Sequence, residues 1–176
     1  MITIRQAIAE DADQIAAIHT AGWRETYHNV MTSEYLEQEA LAERLTHWRG
    51  ALSDPTEDQA VFVVETANTV AGFICVKLHY DPLHGHYIDS LHISAALRGQ
   101  GTGKILLRVA AEWLSHREPQ LPVWLWVFEE NTRATALYHR LGGSTVETSV
   151  SDLPGSDNAP VLRIRWPNAE ALLNHV

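Results

Sequence analysis

The stretch His86 to Leu114, HYIDSLHISAALRGQGTGKILLRVAAEWL, constrains the fold more than any other part of this chain. Its first part, Tyr87 to Ile93, is rich in apolar and β-compatible residues. Ser94-Ala95-Ala96-Leu97 then leads into Arg98-Gly99-Gln100-Gly101-Thr102-Gly103-Lys104, and from Gly103 onward Ile105, Leu106, Val109, Ala110, Trp113 and Leu114 recur at helical spacing. The pattern predicts a strand, a glycine turn and a helix in direct succession. Glycine lets the backbone turn sharply and leaves bare amides open to a ligand. At a helix N-terminus those amides lack intrahelical acceptors, and with the helix dipole they favour a phosphate or another anion. Arg98, Lys104 and Arg108 cluster at the same turn.

Two common nucleotide motifs fail here. A G-x-G-x-x-G fingerprint starting at Gly99 needs glycine where Lys104 stands, and a G-x-x-x-x-G-K-[ST] loop needs glycine at Arg98 and a hydroxyl at Ile105. What fits is R-x-x-G-x-G, carried by Arg98, Gly101 and Gly103.

The rest of the chain reads as one domain over residues 1–176, long enough to bury about two thirds of its unfolded surface. Thr3 to Ala7 predicts a short strand. Asp11 and Gln14 resemble a capping box for a helix with Ile15 and Ile18 on its stripe, closed by Trp23, Glu25 and Tyr27. A second helix is predicted from near Ser33, with Leu41, Leu45, Trp48 and Leu52 on one face and Glu34, Glu37, Glu39 and Glu43 on a solvated one. Asp54-Pro55 ends it, and Ala60 to Thr66 and Val70 to Tyr80 predict two strands entering the central unit. After the glycine-turn helix come a strand, Val123 to Phe128, with Trp124 and Trp126 on one face, a helix, Asn131 to Leu141, closed by Gly142-Gly143, and strands at Ser144 to Val150 and Val161 to Trp166. The tail from Pro167 to Val176 shows helical pattern over a few residues only.

Composition bounds the function. A net charge of −9 disfavours a nucleic-acid partner, which needs a concentrated basic surface, and makes a cationic or amine substrate more plausible. No apolar run is long enough to span a bilayer and no signal sequence opens the chain, so no membrane role is expected. The single cysteine, Cys75, lies in an apolar run and reads as a core residue in a reducing cytoplasm. His79, His84, His86 and His92 cross strand faces and loops without a recognisable ligand set, so no metal is expected.

A second motif appears in the late helix, Asn131-x-x-Ala134-x-x-x-Tyr138-x-x-x-Gly142. With R-x-x-G-x-G and the element order, it resembles the GNAT N-acetyltransferase superfamily over nearly the whole chain. Gly143 departs from the pattern, standing where that family commonly has Phe. The resemblance implies an α/β (α+β) GNAT fold, a mixed sheet of about seven strands flanked by about four helices. It also implies an enzyme that moves an acetyl group from acetyl-CoA to an amine. A catalytically silent acyl-CoA sensor or interaction module on the same fold is the alternative.

By the same resemblance, the backbone of Leu91, His92 and Ile93 pairs with the pantetheine arm, in a gap between this strand and Val123 to Phe128. Arg98, Gly99, Gln100, Gly101, Thr102, Gly103 and Lys104 cradle the pyrophosphate. Asn131 meets the arm, and Tyr138 faces the sulfur as general acid. Asp89 is a candidate base. Regular alternation groups it with Tyr87, Leu91 and Ile93, whereas a bulge would change the parity and present His92 instead; either could act through water. Trp23, Glu25, Tyr27, Asp89 and the Ser151 to Pro160 loop are the candidate contacts for a small-molecule amine, and aromatic surface would also suit a homodimer.

Overall fold

The computed structural model describes residues 2–176. The elements run β1 (Ile2–Gln6), α1 (Ala12–Thr26), α2 (Ala40–Ser53), β2 (Gln59–Thr66), β3 (Thr69–Asp81), β4 (Gly85–Ile93), α3 (Thr102–Ser115), β5 (Val123–Phe128), α4 (Thr132–Arg140), β6 (Ser144–Val150), β7 (Pro160–Trp166) and α5 (Ala169–Leu173). The strands form one seven-stranded sheet in the order β1-β2-β3-β4-β5-β7-β6. The mixed α/β architecture expected from the sequence is borne out. Five helices are present among the described residues, because the weak pattern in the tail forms α5, whose Ala169 and Leu172 are buried in the core shared with α3.

The two faces of the sheet carry separate cores. On one, Leu106, Leu107, Ala110, Ala111 and Leu114 of α3 pack against Ile74, Val76 and Ile88. On the other, Ile15 and Ala16 of α1 and Trp48 of α2 cover Val61, Val63, Phe73 and Cys75. Two helical stripes are rotated from their sequence-based positions. Ile105 and Leu41 are exposed, and Leu107 and Ala111 take the buried places expected of Val109 and Trp113. Apolar residues stood on both flanks of each stripe, so periodicity alone did not fix which flank faced the sheet.

The capping box at Asp11 also differs. The Asp11 carboxylate accepts from the Ile8 amide and from both terminal nitrogens of Arg5, while Gln14 Oε1 accepts from the Val70 amide of β3. These side chains tie α1 to the sheet rather than closing its own first turn. Glu43 likewise leaves the solvated face, pairing with Arg44 and with the Tyr35 hydroxyl.

β4 and β5, the one parallel pair, hydrogen-bond only at His86 with Val123 and Tyr87 with Trp124. Beyond those rungs they part, while β3 continues to pair with β4, and β7 with all of β5. The sheet is therefore forked at its centre.

Gly143 follows α4 beneath Trp166, whose buried indole donates from Nε1 to Leu141 O at 2.8 Å. The aromatic that is absent at position 143 is supplied from β7. A Cβ on Gly143 would lie 2.6 Å from Ile164 Cγ2 and 2.8 Å from Trp166 Cζ2. Overpacking of this kind costs about 1–3 kcal/mol, so Gly143→Ala is expected to lower the urea midpoint with an unchanged m-value, and Gly143→Phe to lower it further.

Candidate active site

The cleft opens where β4 and β5 part, and a bulge in β4 decides which side chains enter it. Val76 pairs with Ile88 and Cys75 with Ser90, leaving Asp89 without a partner on β3. Cross-strand partners share a face, so Ile88, Leu91 and Ile93 lie towards α3, while Tyr87, Ser90 and His92 lie towards α1 and α2. The Asp89 carboxylate is on this second face as well, 3.7 Å from Lys77 Nζ. Regular alternation would have grouped Asp89 with Leu91 and Ile93; the extra residue instead brings Asp89 and His92 together.

The Ser94 amide donates to Ala71 O of β3. Backbone groups alternate in direction along a strand, so the amides and carbonyls of Leu91 and Ile93 point the other way, into the fork. Arg98 Nε donates to Ile93 O at 3.0 Å, which leaves the Ile93 amide free at that edge.

The glycine turn closes the α3 side of the cleft. Gly99 and Gly101 have φ of +77° and +80°, the left-handed region, and Gly101 is the N-cap of α3. Among the described residues, none of the amides from Gly99 to Lys104 donates to another part of the protein. They form a donor set suited to a phosphate. Thr102 is buried and spends its hydroxyl on Leu97 O, and the Gln100 side chain turns back to Ala96 O. Arg133 and Arg140 of α4, which the sequence did not single out, line the cleft together with Arg98 and Lys104.

Asn131 is the N-cap of α4, its Oδ1 accepting from the Ala134 amide and its Nδ2 3.5 Å from the Tyr27 hydroxyl. Tyr138 lies two turns further along α4, with its ring 6.1 Å from that of Trp166. Burial pushes the Tyr138 phenol upward, with the nearby Tyr27 adding to it, so the hydroxyl holds its proton at neutral pH. Tyr27 packs edge-on against Phe128 at the β5 side of the fork. Glu25 pairs with Arg98, which puts it at the anion end of the cleft and not beside Asp89.

The opposite end is built by α1, α2 and the Ser151–Pro160 loop, from which Ser151, Asp152 and Leu153 reach the cleft. Trp23 is buried there against His19, and Trp48 Nε1 donates to His19 Nδ1 at 3.1 Å. The His92 ring stacks on Phe73 and lies 4.4 Å from that of His19. His92 rests on Gly22, where a Cβ would meet Nδ1 at 2.5 Å. Burial, and then the charge of Arg98, hold His92 down at about 4. The whole cleft encloses about 1240 Å³ and crosses the sheet from one face to the other. His19, Arg44 and His47 were missed by sequence reasoning. The available signal was spacing, since His19 and Trp23, and Arg44 and Trp48, each stand one helical turn apart.

The Acetyltransferase (GNAT) family model matches residues 15–143. The chain belongs to the GNAT acetyltransferase family. This GNAT domain is 26% identical over 176 residues to the uncharacterized N-acetyltransferase YuaI of Bacillus subtilis (strain 168), covering 98% of this chain and 96% of that one. It superposes on PaiA N-acetyltransferase from Thermoplasma acidophilum, solved in complex with coenzyme A, with a TM-score of 0.70, 21% identity and coverage of 94% and 98%. It also resembles a probable acetyltransferase from Staphylococcus epidermidis, with a TM-score of 0.74, 12% identity and the same coverage. Among the described residues of the GNAT domain, no group of three or more His, Cys, Asp or Glu side chains is arranged to hold a metal ion, and no helix is long and apolar enough to cross a membrane.

The depressed His92 imparts a pH dependence. An unfolded imidazole binds its proton near 6.5 and the folded one only near 4, so between those values the unfolded chain takes up the proton and gains. Stability is expected to fall as pH drops from about 6.5 to about 4, and chemical denaturation across that range should show a smaller fall in His92→Gln than in the parent.

Proposed function

We propose that this GNAT domain transfers the acetyl group of acetyl-CoA directly to an amine of a small-molecule or amino-acid-like acceptor. The observation that carries this reading is the forked sheet. It opens one cleft to both faces, with the unpaired strand edge at Leu91 and Ile93 between an anion-binding turn and a polar, aromatic recess.

The pantetheine arm would add to the free edge of β4 as a strand, its pyrophosphate taken by the amides of Gly99 to Lys104 and by Arg98. Asn131 and Tyr138 flank the arm from α4. An amide at Leu91 or Ile93 would stabilise the oxyanion that forms at the thioester carbonyl. The acceptor enters from the α1/α2 face and loses a proton there to Asp89 or His92, directly or through water. The neutral nitrogen attacks the carbonyl carbon, a C–N bond forms, the C–S bond breaks, and the leaving sulfur takes the Tyr138 proton, while the proton that the acylated nitrogen sheds passes through solvent and restores the Tyr138 phenol. The products are the acetylated amine and CoA.

Residues 1–176 would act as a single domain in the cytoplasm, without nucleic acid or membrane as partner; the exposed Tyr80 and Leu83 would suit a homodimer.

Thiol release across a panel of amines tests the reading. Tight CoA binding with no release on any amine would favour a non-catalytic acyl-CoA sensor. Tyr138→Phe is expected to lower kcat by about 10²-fold or more, the usual contribution of a positioned acid, while the affinity for acetyl-CoA stays within about threefold. A kcat in Tyr138→Phe within about twofold of the parent would remove Tyr138 from the acid role.

A further inference from the structure

The α1/α2 end of the cleft carries donors that neither the cosubstrate nor the thioester chemistry uses. His19 and Trp23 of α1 interleave with Arg44 and Trp48 of α2. The His19 ring meets Trp23 edge-on at 4.5 Å, and the Arg44 guanidinium lies over the same indole at 5.1 Å. An indole N–H only donates, so the bond from Trp48 Nε1 requires His19 Nδ1 to be an unprotonated acceptor. Burial, aided by the charges of His92 and Arg44, keeps the ring neutral. Its one proton is therefore on Nε2, which has no acceptor among the described residues although His19 lines the cleft.

Arg44 is similarly open. Its Nη2 donates to Glu43 Oε1 at 2.6 Å, a carboxylate shared with the Tyr35 hydroxyl. Its Nε is sealed from solvent without an acceptor, and Nη1 has no partner among the described residues. A guanidinium this enclosed, with only 13% of its side chain accessible, is under-satisfied. Apart from Glu43, which Arg44 already holds, the carboxylates of this end belong to other elements, Asp89 of β4 beside Lys77 and Asp152 of the Ser151–Pro160 loop close enough to act on Tyr87. Helices α1 and α2 thus bring a cation and a neutral donor to the cleft, and β4 and the loop bring carboxylates.

We propose that Arg44 and His19 form an anion subsite, and that the acceptor is an amino acid or related compound with a carboxylate near its amine. The carboxylate takes Arg44 and the His19 Nε2 proton, while the amine turns towards Asp89 and His92. The placing of the amine rests on the acetyl-transfer reading; the anion subsite does not.

Titration calorimetry of the CoA-bound protein with the N-acetyl forms of the proteinogenic amino acids, each against its carboxamide, tests the subsite. The best-bound acid is expected to bind at least about tenfold more tightly than its amide, as loss of a charge-assisted bidentate contact implies. Arg44→Met should abolish that difference, and Glu43→Gln, which removes the negative charge competing for the guanidinium, should tighten acids several-fold, about the effect of one charge-assisted bond, and leave amides unchanged. Should Arg44→Met fail to fold, Glu43→Gln and Arg44→Lys carry the test. Amides that match their acids, the absence of binding by any acid, or equal losses for both in Arg44→Met would overturn the proposal. Thiol release on matched acceptors separates the two readings. Turnover of amides or polyamines in preference to amino acids leaves acetyl transfer standing and removes the subsite. Arg44-dependent acid binding with no thiol release on any amine does the reverse.

Discussion

β4 and β5 share two hydrogen-bonded rungs, and the site depends on their parting beyond them. A parallel pair buried at the centre of a sheet would normally satisfy its backbone groups along its length, and each group left unpaired away from water costs about 1–3 kcal/mol. The fork avoids that cost by opening into a cleft where solvent or a ligand can supply the partner. Its apex is held tightly. His86 is fully buried, its amide donates to Pro122 O, its Nδ1 accepts from the His79 amide and its Nε2 meets Glu118 O. A Cβ at the neighbouring Gly85 would strike Pro122 O at 2.5 Å. Close packing at this point lets the strands diverge without unravelling.

The β4 bulge then sorts the chemistry by face. Without it Asp89 would keep the face of Tyr87, but Leu91 and Ile93 would join it there and His92 would turn under α3. With it, the apolar residues of β4 stay with the α3 core, and Asp89, Ser90 and His92 face α1 and α2. The same fork divides charge. An acidic chain gathers Arg98, Lys104, Arg133 and Arg140 around one end of its cleft, where Glu25 pairs with Arg98, and sets Arg44 beside Glu43 and Lys77 beside Asp89 at the other. Local geometry, not net charge, sets what each end can hold.

Much of this was legible in the sequence because the responsible signals are local. Glycines before a helical stripe place a turn with open amides at a helix start, and a helix is enough to bring Asn131 and Tyr138 to one side; the family resemblance gave both their use. The failures arose where a local pattern had more than one use. Asp11 and Gln14 had the spacing of a capping box, but Arg5 and the Val70 amide, distant in sequence, offered better partners. Trp48 stood on an apolar stripe and packs as expected, yet its N–H fixes the tautomer of His19, twenty-nine residues earlier. Gly143 looked like the loss of an aromatic contact, which Trp166 restores from another strand.

The sequence by itself determined the order of strands and helices and the glycine turn, since periodicity, turn residues and helix-end chemistry act over a few residues; the single mixed sheet came with the family resemblance. Only the tertiary structure decided the face that Asp89 and His92 share, because one unpaired residue reverses the parity of every side chain after it. It alone also brought Arg44 and His19 to one indole. Their meeting depends on how α1 and α2 cross over the sheet, and no spacing within either helix encodes it.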